Sequence, residues 1–146
     1  MAVKVFKAIW FLSLLIFLGV FMYNYAGLPE VVSLVDSIES PLSISREALF
    51  YSVLGVAAIL NVFVFIISKL YSSNPEFRCW FYGLITALNI FLIIGVNFVT
   101  LFNSAEKFDY SRIGNIIYGS LVLVVLWVVA WPIYALVKKI SAKQAV

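Results

Sequence analysis

The side chains best placed to do chemistry in this sequence are amides and hydroxyls set in long apolar runs. Asn61 follows Ala57 and Ala58 within one such run, and a later run carries Cys79, Tyr82, Thr86, Asn89, Asn97 and Thr100. At 100° per residue these positions, with Ile93 among them, fall within a sector of about 80° on one helix, while the rest of that helix is mostly Ile, Leu, Val and Phe. Neutral groups of this kind form hydrogen bonds. A pump, a proton relay or a voltage sensor needs a titratable group in the membrane, and no Asp, Glu, Lys or Arg lies in the middle of any apolar run.

The rest of the inventory narrows the chemistry further. The chain has no His and one Cys, Cys79. That excludes a Ser-His-Asp triad and a Cys-His pair. It also excludes the usual His/Cys zinc sets, a His-based axial haem pair and an intrachain disulfide. The seven glycines are scattered and form no phosphate-cradling loop. A net charge of +3 is too small and too local to point to nucleic acid. The expectation is a protein that is not an enzyme and uses no cofactor or metal. Cys79, beside Arg78 at a run boundary, reads as an inert interfacial thiol rather than a reactive or acylated one.

The elements that must position the amides follow from composition. Of 146 residues, 64% are apolar and 12% are charged, against roughly half and a quarter in ordinary soluble domains. So little charge does not wet the surface of a domain this small, and the solvent for most of the chain is lipid. Four runs are long enough to cross a bilayer, which takes about 20 residues: Ala8–Ala26, Ala48–Leu70, Cys79–Phe102 and Asn115–Val137. The need to satisfy every backbone group in hydrocarbon makes them helices. The first run is longer than a signal-peptide core and lacks a small-x-small site after it, so it reads as an uncleaved anchor. The fold class expected is all-α, a polytopic membrane protein whose helices form an antiparallel bundle of one domain over residues 1–146.

Orientation follows from the basic residues. Lys4, Lys7, Lys69, Arg78, Lys138, Lys139 and Lys143 fall on one side, and Arg46, Lys107 and Arg112 on the other. Both termini are therefore expected in the cytoplasm. Trp10, Trp80 and Trp131 then lie toward the inner boundary, and Tyr23, Tyr25, Tyr51 and Tyr110 toward the outer one, as in aromatic belts. Asn74-Pro75-Glu76 reads as an N-cap, a first-turn proline and a first-turn carboxylate. Ser45 caps the second span by the same logic, and Asp109 or Ser111 the fourth. Pro132 removes a backbone donor inside the fourth span and should kink it.

The first outer loop carries Glu30, Asp36, Glu39 and Glu47. Within it Leu28, Val31, Val32, Val35 and Ile38 follow helical spacing, with polar residues on the opposite face. The spacing predicts a short amphipathic helix over about 28–39, on the membrane surface or across the bundle mouth. It is a surface for a partner or for the helix ends.

The short connection between the second and third spans makes them neighbours, so Asn61 and Asn89 should meet at similar depth and hydrogen-bond. Asn97 lies nearer the outside, within reach of Asn24, Ser52 or Tyr118. Two readings of Asn61, Thr86, Asn89, Asn97 and Thr100 stand. In one they knit helices together; in the other they line a narrow polar cavity. The small number of polar groups favours the first. Ser120, Trp127, Trp131, Tyr134 and Lys138 share a face of the fourth span, which reads as a buried aromatic seam ahead of a lipid-headgroup or partner surface.

Several segments resemble a known group. Leu28-Pro29-Glu30-Val31-Val32, Ile44 through Tyr51, Phe102-Asn103-Ser104 through Phe108-Asp109-Tyr110, and Trp131-Pro132-x-Tyr134 are similar to those of uncharacterised small four-helix inner-membrane proteins of Bacteroidetes-type bacteria. The first loop is loosely similar to the SdpI-like family. There a Leu-Pro loop continues into His-Phe-Asn and Gly-x-Pro-Asp, whereas this chain reads Leu34-Val35-Asp36-Ser37. The resemblance implies a bacterial inner membrane and, through SdpI-like relatives, toxin immunity or signalling. The leading expectation is a non-catalytic accessory or assembly subunit. Its partners would be the lipid bilayer and a larger membrane complex or a second copy, without nucleic acid. The alternatives are a small transporter or channel on the Asn-lined face and an SdpI-like immunity protein.

Overall fold

The computed structural model of the chain describes residues 1–35, 42–104 and 110–144. The elements run α1 (Ala2–Gly27), β1 (Val31–Val35), β2 (Leu42–Ser45), α2 (Arg46–Leu70), α3 (Pro75–Phe102) and α4 (Tyr110–Gln144). Each helix is long and apolar enough to cross a membrane, and each extends past the apolar run that announced it.

Helix ends follow local chemistry. Asn74 Oδ1 accepts the Phe77 amide at 3.0 Å, with Pro75 opening the first turn of α3. Ser45 Oγ accepts the Ala48 amide at 3.2 Å and starts α2. For α4, Ser111 lies inside the helix and Asp109 lies outside the described residues. Pro132 sits within α4, which continues through it as one helix.

Helix α3 is the centre of the assembly. It packs against α1, α2 and α4, whereas among the described residues α4 packs against α3 alone. The contacts give the relative directions. Phe21 of α1 stacks on Phe50 near the start of α2, and Trp10 meets Asn61 further along it, so these two helices run in opposite senses. Ser13 meets Asn89 and Asn24 meets Asn97, so α1 and α3 run in the same sense. Two apolar clusters sit between these helices, one around Trp10, Val64, Tyr82 and Ile85 and one around Phe17, Phe21, Ala57 and Val96.

The first outer loop departs from expectation. Leu28, Val31, Val32 and Val35 do not form an amphipathic helix; Ile38 lies outside the described residues. Leu28 is extended (φ −75°, ψ 143°) and ends α1. Pro29 is the reason, since a residue preceding proline is disfavoured in the helical region. Val31–Val35 is then the β1 strand, paired antiparallel to β2 with Val31 opposite Ser45 and Val32 opposite Ile44, and with an irregularity between Ser33 and Val35. The four apolar residues of this stripe in the described part are one Leu and three Val, and branched Val suits an extended backbone as well as helical spacing. Val32 is fully buried while its neighbour Val31 is 63% exposed, which is the alternation of a strand.

Candidate functional site

The polar residues of the three packed helices gather in a layer between the two apolar clusters. Asn61 and Asn89 face each other as a reciprocal amide pair. Asn61 Nδ2 donates to Asn89 Oδ1 at 3.1 Å, and Asn89 Nδ2 donates to Asn61 Oδ1 at 3.3 Å. Each amide has a second N–H. That of Asn61 goes to the Ala57 carbonyl of its own helix at 2.8 Å, and that of Asn89 goes to Ser13 Oγ on α1 at 3.0 Å. Trp10 Nε1 donates to Asn61 Oδ1 at 2.8 Å, and the Ser13 hydroxyl donates back to the Trp10 carbonyl at 2.7 Å.

An amide side chain has two donors and two acceptor lone pairs. Asn61 uses all of them, and Asn89 uses both donors and accepts once. Asn89 is fully buried and Asn61 nearly so. A buried polar group is costly only when it is unsatisfied. This layer therefore locks α1, α2 and α3 in one register and depth.

Nearer the hairpin, Asn24 Nδ2 donates to Asn97 Oδ1 at 3.2 Å and to the Val20 carbonyl at 2.9 Å. Asn97 Nδ2 returns to the Ile93 carbonyl of its own helix. Of the side chains expected near Asn97, Asn24 reaches it, while Ser52 and Tyr118 are exposed on other faces. Thr86 and Thr100 donate to Tyr82 and Val96 carbonyls within α3 and make no interhelical bond among those observed. The stripe on α3 thus divides into two roles: Asn89 and Asn97 cross to other helices, and Thr86 and Thr100 bond inside their own.

Ser13, Trp10 and Asn103 take roles that were not expected from sequence. The Trp10 ring is not turned outward but buried against Tyr82 and Phe65, with ring centroids 5.9 and 5.8 Å away. Asn103, one residue past α3, grips the strand. Its Oδ1 accepts the Ser33 amide at 2.8 Å and its Nδ2 donates to the Ser33 carbonyl at 2.9 Å. An amide side chain here supplies the donor and acceptor that a third strand would supply. On the other side of the hairpin the Arg46 amide donates to the Glu30 carbonyl at 2.9 Å. The Arg46 guanidinium reaches the Leu28 carbonyl and lies 5.4 Å from the Tyr25 ring centroid.

The α3–α4 contact is an aromatic seam. Trp80 Nε1 donates to the Trp127 carbonyl at 2.8 Å, and Trp127 Nε1 donates to the Trp80 carbonyl at 3.0 Å. Phe77 and Trp131 meet edge to face at 5.1 Å, and Lys138 Nζ lies 2.7 Å from Glu76 Oε2. Gly83 makes the approach possible, because a Cβ there would lie 2.3 Å from Trp127 Cζ2. Ser120 bonds within α4, to the Ile117 carbonyl.

Four apolar helices, with their polar groups turned toward one another, mark the chain as a multi-pass helical membrane protein. No family model, no curated protein and no solved structure matches it.

Proposed function

We propose that the protein is a non-catalytic accessory or assembly subunit of a larger complex in a bacterial inner membrane, with both termini in the cytoplasm. The observation that carries this reading is the placement of α4. It touches α3 along one seam, and much of the rest of its circumference from Ile116 to Val137 is apolar and exposed. Pro132 lies on that exposed side and brings no N–H to the carbonyl of Val128, leaving a backbone acceptor that a neighbouring helix can satisfy. The alternating helix directions are those of an antiparallel bundle, with α4 as its outer, partner-seeking member.

The amide layer supports the same reading over a transport pathway. Its donors are consumed between helices, and Asn89 has no exposed surface for a solute to meet. The seven basic residues on the side opposite the hairpin support the orientation.

Extraction of the tagged full chain in a mild detergent, followed by affinity isolation and mass spectrometry, tests the reading. The expected result is a defined set of stoichiometric membrane partners that is lost when the exposed α4 positions Leu123 and Leu136 are replaced by Trp. Recovery of the free protein alone would refute it. Recovery of a stable self-assembly without other chains would replace the larger complex by a homo-oligomer.

A further inference from the structure

At the end of the molecule opposite the hairpin, the first turns of α1, the last turns of α2 and the first turns of α3 line a half-open cavity of about 180 Å³. Its polar lining is Lys7, Ser68, Lys69 and Tyr82; Trp10, Val64 and Phe65 form the apolar wall. No carboxylate lines it, and the ion pair found among the described residues, Lys138–Glu76, is on α3 and α4. A third cation, Arg78, does not line the cavity but bonds to Ser68, which does. Arg78 donates from its terminal nitrogen to Ser68 Oγ at 3.3 Å, and Ser68 Oγ lies 2.9 Å from the Tyr82 hydroxyl. The Arg78 Nε is buried and has no hydrogen-bond partner.

We propose that this cavity binds the phosphate headgroup of an anionic phospholipid. Two lining lysines, the Ser68 and Tyr82 hydroxyls with the Arg78 guanidinium bonded behind them, and the absence of a lining carboxylate make a site for a phosphate diester. Basic pockets between spanning helices are suited to such headgroups. The volume lies below the roughly 300 Å³ at which pockets for drug-sized ligands begin, so it takes a headgroup and leaves the acyl chains outside. The apolar wall decides for a lipid over a free anion. Phe65 lines the cavity and is 65% exposed, so the cavity borders the surface that faces hydrocarbon, where acyl chains lie. The site joins three helices next to the buried Trp10, so a bound headgroup also closes the cluster around Trp10, Val64 and Tyr82.

The test uses the purified full chain in nanodiscs of phosphatidylcholine containing graded phosphatidylglycerol. Native mass spectrometry of released protein reads the lipid retained. The wild type should retain phosphatidylglycerol in preference to phosphatidylcholine. A lysine near an anionic headgroup is worth roughly fivefold in affinity, so the Lys7→Gln/Lys69→Gln double variant should lose roughly thirtyfold. Ser68→Ala removes one hydroxyl and no charge, and should lose about fivefold. Lys138→Gln/Lys139→Gln, with the same charge change on α4, should retain the wild-type preference. An equal loss in both double variants would reduce the effect to diffuse surface charge and overturn the site. So would unchanged retention in the Lys7/Lys69 variant. Displacement of the lipid by millimolar inorganic phosphate would make it a free-anion site and overturn the lipid assignment. Thermal unfolding of each variant by tryptophan fluorescence separates loss of the site from loss of the fold.

Discussion

Replacing Asn89 by Ala should loosen three helices at once. The substitution removes three interhelical hydrogen bonds: the two exchanged with Asn61 and the one to Ser13. Hydrogen bonds between membrane helices average about 0.6 kcal/mol, because the separated helices also find partners. Three of them give about 2 kcal/mol, a roughly thirtyfold change in the folded-to-unfolded ratio. Asn89→Leu should fare no better, since hydrocarbon provides little drive to bury a leucine between helices. Unfolding by SDS in mixed micelles, followed by tryptophan fluorescence, measures the change, with Trp10 reporting on the layer and Trp80, Trp127 and Trp131 on the α3–α4 seam. In a double-mutant cycle, Asn61→Ala with Asn89→Ala should show coupling of about 1 kcal/mol, from the two mutual bonds. Additive effects of the two substitutions, or wild-type stability in Asn89→Leu, would refute the interlocked layer.

Other perturbations address the remaining contacts. Asn97→Leu removes a single interhelical bond, to Asn24, and should cost about 0.6 kcal/mol in the same unfolding assay; a loss as large as that of Asn89→Ala would make depth irrelevant. Gly83→Ala forces the Trp127 indole off α3 and should cost about 1–3 kcal/mol as an overpacking change. Trp127→Ala should largely cancel that cost, and additivity of the pair in thermal melting would contradict the close approach. Asn103→Ala removes both bonds to the Ser33 backbone. Hydrogen–deuterium exchange of the Ser33 amide should rise about tenfold, with helix α1 unaffected; unchanged exchange would show that the strand pairing alone holds the hairpin.

How much of this was legible depends on which physical signal each element carries. The spans were readable because a bilayer demands long uninterrupted apolar runs, and nothing in a short chain competes with that signal. The Asn61–Asn89 juxtaposition was readable because a short connection between two spans fixes which residues share a depth. The full layer was partly readable as well. Trp10, Ser13, Phe17, Phe21 and Asn24 are the buried residues of α1, and at 100° per residue they fall in a sector of about 80°, the same width as the stripe on α3. What hid Trp10 was its position: three residues beyond Lys7, it reads equally as a boundary tryptophan. The hairpin was not readable from spacing. Leu28, Val31, Val32 and Val35 fit a helical stripe, and only Pro29 argued for an extended chain. The decisive contacts, backbone pairing to Leu42–Ser45 and the Asn103 amide 70 residues away, leave no mark on local periodicity. Gly83 is likewise silent until α4 is in place.

The distribution of polar groups makes the helices unequal, and that inequality bears on function. Helices α1, α2 and α3 are joined by side chains that hydrogen-bond in hydrocarbon, where an unsatisfied group is costly, so their mutual positions are fixed. Helix α4 is joined to α3 by aromatic packing and by indole bonds to two carbonyls near one end. Beyond those two bonds and the exposed Lys138–Glu76 ion pair at the same end, packing of that kind has no polar penalty for separation. A rigid three-helix unit with one helix tied mainly at its basic end suits a protein that offers α4 to a neighbour while the hairpin and the amide layer hold the rest unchanged. The same asymmetry gives a strict expectation. Substitutions in the amide layer should reduce stability and partner recovery together, whereas substitutions on the exposed side of α4 should reduce partner recovery and leave the unfolding midpoint where it was. A variant of the exposed α4 face that unfolded as readily as Asn89→Ala would show that α4 belongs to the same cooperative core, and the division of labour between the helices would fail.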